Sequence, residues 1–215
     1  PTEYGNALGG VMDMRFRPGN NQQTEFTGQV GLIGIDAAVE GPFGPNSQSS
    51  YLVNARYSTL GILSAMGVDL GDEVINFADL SFNLNFPFSN GGELTLFGVM
   101  GNSTNVFEAE RDSSLWESEK DNQDITFSSS TIISGATLSL PVGKKSNWRT
   151  VFAYSSLQTE RTAEVLDANF QLQPRDLATN DQVKASLHTT FTHQLSAGQQ
   201  LRAGAVMTQQ AYNIY

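Results

Sequence analysis

Residues 78–86 read ADLSFNLNF, and this alternation constrains the fold more than any other feature of the chain. Side chains of an extended strand point to opposite faces with period two. Ala78, Leu80, Phe82, Leu84 and Phe86 therefore share one face, and Asp79, Ser81, Asn83 and Asn85 the other. A strand so divided meets an apolar medium on one side and a polar one on the other. The apolar medium is either a protein core, as in a β-sandwich, or lipid, as in a membrane barrel whose lumen takes the polar side. The same pattern recurs in YLVNARYS (51–58), QVKASLHTTFTHQ (182–194) and QLRAGAVMTQ (200–209). FSSSTIISGATLSLPVG and NWRTVFAYSSLQTE also read as strands, with less divided faces. No convincing helix is predicted: ESEKDNQD has helix formers but no apolar stripe.

Composition narrows the medium. The chain has 215 residues, 39% of them hydrophobic, and a mean hydropathy of −0.25. No stretch approaches the ~18 apolar residues of a membrane helix, but a membrane barrel hides its apolar band by alternation. Cysteine is absent, so disulfides and thiolate metal sites are excluded. The net charge of −10 argues against nucleic-acid binding, which needs basic surface. The sequence opens on Pro1 without an initiator methionine or a signal peptide and reads as an excised piece or an incomplete record.

Connections differ in a regular way. Short turns are expected at Pro45–Ser49, Ser89–Gly92, Gly143–Asn147 and Ala197–Gln199, where Gly, Asn, Ser and Pro gather. Longer polar links are expected at about 63–74, 106–123 and 162–180. Short turns on one edge and long loops on the other form the outer-membrane pattern. Phe43, Tyr51, Phe86, Phe88 and Trp148 lie beside short turns and would form an interfacial girdle. Several strands exceed the usual 5–6 residues and reach the ~9–11 that cross a bilayer. Leu80, Phe82, Leu84, Val183, Leu187 and Phe191 are accordingly expected to face lipid, and Asp79, Asn83, Lys184 and His188 the lumen.

The N-terminal region carries more specific motifs. PTEYGNALGGV matches a Pro-x-x-Tyr-Gly-x-x-x-Gly-Gly-Val stretch through Pro1, Tyr4, Gly5, Gly9, Gly10 and Val11. Glu40–Phe43 (EGPF) and Ser50–Ser58 (SYLVNARYS) follow. In these motifs the chain resembles TonB-dependent outer-membrane receptors of the Bacteroidota type. In that family the first stretch closes the plug domain and the others open the barrel. The specific motifs span residues 1–60; the rest matches by pattern alone.

The resemblance implies an all-β chain: an antiparallel meander forming part of a large transmembrane β-barrel of about 22 strands, open because the chain is truncated. Residues 1–20 would end the plug. Residues 21–215 would supply about nine strands, near 23–32, 34–43, 50–62, 75–88, 93–105, 124–142, 147–161, 181–196 and 199–213. The first pair would share a tight turn around Ile33–Gly34. The first and the last of these strands would both run outward, and this odd count argues for truncation. The implied function is energy-coupled uptake of a scarce nutrient (an iron chelate, cobalamin, a glycan or a peptide) in the bacterial outer membrane. The implied partners are outer-membrane lipid, the nutrient, and the TonB complex acting through an N-terminal part not in this sequence. Two alternatives remain: a small complete outer-membrane barrel with a structural or adhesive role, and a soluble carbohydrate-binding β-sandwich.

Chemical constellations are sparse. Lumen-facing candidates for contact with plug or substrate are Asp36, Glu40, Asn54, Arg56, Asp79, Asn83, Lys184 and His188. For Asp36 and Glu40, plain lumen polarity competes with contact to the plug. For Arg56, an ion pair with a lumen carboxylate such as Asp79 is the simpler expectation. External-loop candidates are Glu108, Glu110, Asp112, Trp116, Glu117 and Glu119, within an acid-rich stretch whose spacing fits no EF-hand. A solvated loop is the plainer reading of that stretch. His188 and His193 are five apart, hence on opposite faces, and do not share a metal. No cofactor is expected. Neither a nucleophile elbow, a phosphate loop, a dinucleotide fingerprint nor a zincin motif occurs, so the chain is not expected to be an enzyme.

Overall fold

The computed structural model describes residues 15–67 and 73–215. The plug-like match at Pro1–Val11 lies outside the described residues. Nine strands form one antiparallel sheet in sequence order. They are β1 (Glu25–Val30), β2 (Gly34–Pro42), β3 (Ser50–Ser58), β4 (Glu73–Pro87), β5 (Glu93–Phe107), β6 (Gln123–Val142), β7 (Ser146–Leu166), β8 (Leu172–Ser196) and β9 (Gln199–Ile214). Every neighbouring pair is antiparallel, and β1 and β9 are not paired with each other. The expected nine-strand meander is therefore present, and it is an open sheet.

Register fixes the two faces. Directly opposed residues share a face, and the row Asp36–Arg56–Asp79–Gly101–Thr131–Leu157–Gln182–Tyr212 crosses the sheet from β2 to β9. Stepping by two residues from this row puts Glu40, Asn54, Asn83, Lys184 and His188 on the same, polar face. Leu80, Phe82, Leu84, Val183, Leu187 and Phe191 fall together on the other face. No second layer covers that face among the described residues, since all nine strands belong to one sheet. Leu187, Phe152, Leu201 and Met207 stay 46%, 49%, 53% and 73% exposed. Fully buried apolar side chains among the described residues are Ala109, Ala163 and Leu166. The surface is 14640 Å², against roughly 9,700 Å² for a compact protein of this mass. A sandwich would have buried the apolar face; this sheet leaves it open.

Glycines on both faces are covered by aromatic rings. A Cβ on Gly98 would lie 2.4 Å from the Phe82 ring opposite it, and one on Gly135 would lie 2.6 Å from Phe97. Each ring fills the space a side chain at the glycine would take and so offsets the packing that glycine lacks in a strand.

Two expectations need correction. The link expected at 162–180 is mostly strand: β7 and β8 run to Leu166 and from Leu172, joined by a five-residue turn. Alternation vanishes there because both faces of the extension are polar, and Pro174 reads as a strand breaker. It is tolerated because a bulge adjoins it (Ala163 pairs with Asp176 and Glu164 with Pro174) and because β9 pairs with β8 only from Asn180 onward. Second, β3 ends at Ser58, and a short helix, α1 (Leu60–Ala65), follows. The Ser58 hydroxyl accepts from Leu60 N at 3.3 Å and so starts the turn. A 3₁₀ turn also forms at Ser113–Leu115. The turn at 31–33 is tight, as expected for the first pair, closed by Gly31 N donating to Gly34 O at 2.9 Å. The asymmetry of the edges lies as much in the 20, 21 and 25 residues of β6, β7 and β8 as in loop length. The short turns follow expectation, with Asn46, Gly91 and Gly143 supplying positive φ.

Candidate functional site

The polar face bears a clamp on the N-terminal segment. The Arg17 guanidinium donates to both Glu40 carboxylate oxygens, at 2.7 and 2.5 Å, and Asn20 N donates to Glu40 Oε2 at 2.7 Å. Across the row, Asn83 Nδ2 donates to the Arg17 carbonyl at 2.8 Å. Asn83 is 1% exposed, and its Oδ1 is buried without a protein partner. Phe16 stacks on Phe97, with ring centroids 6.2 Å apart. Gly19 passes so close to β3 that a Cβ would meet the Tyr51 carbonyl, so no other residue fits there without a shift. An ion pair, a buried amide, a ring stack and a close backbone crossing thus hold residues 16–20 against β2–β5.

The other polar-face candidates pair among themselves. Asn54 Nδ2 donates to Asp36 Oδ1 at 2.9 Å. The Arg56 guanidinium meets Asp79 at 2.9 Å, the simpler of the two outcomes expected for it. Asp36 is thus paired within the polar face, whereas Glu40 grips the segment. Lys184 and His188 sit far across the sheet on β8, opposite Ser155 and Val151. His188 Nε2 is 3.2 Å from the Thr190 hydroxyl, and His193, on the opposite face, is 2.7 Å from the Ser146 hydroxyl.

The acid-rich loop is a folded unit. Asp112 accepts from Ser114 N at 2.9 Å and caps the 3₁₀ turn. Glu110 accepts from Asp112 N at 2.8 Å, and its carbonyl accepts from Trp116 Nε1 at 2.8 Å. Asp121 accepts from Glu117 N and Ser118 N at 2.6 and 2.7 Å. Asp124 accepts from Ala109 N at 2.6 Å and pairs with Arg111 at 3.3 Å. Lys120 lies over the Phe107 ring. Glu108, Glu117 and Glu119 take no part in this network through their carboxylates. Among the described residues no three acidic or imidazole groups converge on a cation site. Hydrogen bonds from Ser114, Ser118 and Glu117 hold the carboxyls of Asp112 and Asp121 below the usual aspartate range.

This loop packs on the β7–β8 turn. Leu166 N donates to Asn122 O at 2.9 Å, and Trp116 faces Phe170 at 6.3 Å. Phe170 has φ 58°, an uncommon conformation for a bulky residue. Asp167 organises the turn by accepting from Asn169 N and Gln171 N at 2.8 and 3.0 Å. The same bonds hold its carboxyl low. Arg161 and Asp176 pair at 2.6 Å lower on the extension. Ala109, Ala163 and Leu166, all buried, lie where loop and extension meet.

Several residues escaped sequence reasoning. Arg17, Phe16 and Gly19 had a readable signal in RFRPG, where two cations flank an aromatic and a Pro-Gly follows. Phe170 had a weaker one, the Asp-x-Asn turn before it.

Taken together, fold and site define an open nine-stranded antiparallel meander with one apolar face that no second layer covers among the described residues and one polar face that holds an N-terminal segment. Comparison with protein-family models, with curated proteins and with solved structures returned no match.

Proposed function

We propose that the chain forms part of the wall of a large transmembrane β-barrel in the bacterial outer membrane and carries the end of the plug that the barrel encloses. It acts in TonB-dependent, energy-coupled uptake of a scarce nutrient: an iron chelate, cobalamin, a glycan or a peptide. The reading assigns it no catalytic step and no cofactor. The observation that carries it is the clamp: residues 16–20, just past the plug-like motif, are held to the polar face through Glu40, Asn83 and Phe97. A membrane barrel with lipid outside and a plug inside needs this arrangement of one bare apolar face and one occupied polar face. The edge carrying the long loops would face outward, and the edge carrying Phe43, Tyr51, Phe86 and Trp148 would lie at the inner interface. There Phe43 packs on Tyr51 and Phe86 at 5.5 and 5.2 Å.

The test uses the full-length protein in its own cells. Glu119→Cys should react with a membrane-impermeant maleimide on intact cells, and Lys144→Cys should not. Deleting the gene should abolish growth on a limiting nutrient that wild-type cells import only while the proton gradient is intact. Labelling of Lys144→Cys on intact cells, or growth indifferent to the deletion across all four nutrient classes, would overturn the reading.

A further inference from the structure

The apolar face is not evenly bulky. On its loop-edge side it sinks into a shallow trough of about 630 Å³, within the range of small-molecule sites. Its floor is three alanines: Ala37 and Ala55, directly opposed, and Ala78, diagonal to Ala55. Ile35 and Tyr57 bound one side, and Leu80, Met100 and Ile132 the other. These walls stand out from the sheet, Tyr57 being 57% exposed and Ile132 44%. Register orders the lining by polarity. The row nearer the loops runs Ile35–Tyr57–Ala78–Asn102–Ser130, and the row one step inward runs Ala37–Ala55–Leu80–Met100–Ile132. Amide and hydroxyl groups thus lie at the loop-side end, and hydrocarbon alone lies inward.

We propose that this trough seats one acyl chain of a membrane lipid, with the ester and head region toward Asn102, Ser130 and the Tyr57 hydroxyl. The inference rests on the transmembrane reading above and adds a specific lipid site to it. Three features select an acyl chain. The floor and wall side chains on this face are uncharged, and Arg56 and Asp79, which also border the trough, belong by register to the opposite face. The polar-to-apolar order follows the direction a lipid takes from interface to bilayer interior. The alanine floor leaves a depression between larger side chains, whereas a flat apolar face would only be wetted by fluid lipid. A second copy of the chain would need apolar knobs spaced to fill the trough, and the polar end would oppose them.

The full-length protein, reconstituted in palmitoyl-oleoyl phosphatidylcholine vesicles with a trace of 14-doxyl phosphatidylcholine, tests this by spin-label counting of motionally restricted lipid. Wild type should hold about one restricted lipid more than the double variant Ala55→Leu/Ala78→Leu, which fills the floor with alkyl groups. Ala203→Leu, on the same face of β9 but outside the trough, should match wild type. Equal counts in all three inserted proteins would overturn the lipid site and leave the transporter reading standing. Failure of wild type to insert at all would overturn both. A dimer that Ala55→Leu dissociates, with no difference in restricted lipid, would show a second copy in the trough and also overturn the proposal.

Discussion

Glu40 shows how one side chain decides the character of a face. It is 9% exposed and accepts three hydrogen bonds, two from Arg17 and one from Asn20 N. Charge-assisted bonds are worth more than neutral ones, and a donor left without its acceptor carries its desolvation cost. Because the Arg17 side chain remains 63% exposed, the value of the pair is discounted for solvent screening to about 1–2 kcal/mol. Glu40→Gln should therefore raise amide exchange across residues 15–20 roughly tenfold while leaving exchange in β6–β8 unchanged; identical protection of 15–20 in both proteins would mean that the clamp does not hold the segment. The loop aspartates make a second residue-scale prediction. Asp112 has a carboxyl held below the ordinary value of 3.8 by the Ser114 hydroxyl and then the Ser114 N–H, and Asp121 and Asp167 have theirs held low by backbone donors. A depressed pKa contributes order that is complete above the unfolded value and is lost as pH falls through the folded one. Trp116 reports on the loop, and Trp148→Phe removes the other of the two tryptophans. In that background the Trp116 emission should stay constant from neutral pH down to about pH 4 and shift to the red only below it. A shift centred at pH 5–6 would contradict the hydrogen bonds described.

The strands show what alternation reveals and what it hides. β3, β4, β8 and β9 were legible because each keeps oily and polar residues on separate faces over the apolar band. The upper halves of β7 and β8 were not, because both faces carry polar groups once no apolar medium lies beside them, and period two then has nothing to act on. The pairing partner also matters: Asp36, Arg56 and Asp79 could be placed on one face from sequence, but their alignment in a single row needed the register. The clamp was illegible for a similar reason. Arg17 and Glu40 are 23 residues apart, and no local pattern joins them. The separation of faces makes an element-scale prediction on β4. Leu80→Arg, on the apolar face between the Tyr51–Leu84 and Tyr57–Ala78 rows, should destabilise the full-length protein by roughly 2–4 kcal/mol if that face meets lipid. Ser81→Arg, on the polar face of the same strand, should cost well under half as much. Asn83 would be a poor control despite its polar face, since at 1% exposure it has no room for a longer side chain. Equal losses for Leu80→Arg and Ser81→Arg in a urea titration from vesicles would remove the lipid.

At the scale of the whole molecule, charge and backbone both point outward from the sheet. Residues 107–124 and 158–181 hold twelve of the 22 acidic residues and four of the 12 basic ones, so −8 of the net −10 lies on the loop edge. That edge repels its like, which opposes association through the loops. The two lateral edges do the opposite. β1 and β9 are exposed along their whole lengths, and each has a neighbour on one side only. Among the described residues no further strand pairs with the outer edge of either. In lipid each N–H or C=O group left unpaired there would cost several kcal/mol. In water the same groups form a template for another strand, next to an apolar face on which Leu201 and Met207 are 53% and 73% exposed. Residues 1–215 produced alone should therefore not persist as a monomer. Sedimentation velocity in detergent-free buffer should show a broad distribution of oligomers that grows with concentration, and hydrogen exchange within those oligomers should slow first in β1 and β9, where new pairing forms. A single monomeric boundary with one cooperative melt would mean that the nine strands satisfy their own edges, and the open sheet would then have to be abandoned for a closed one.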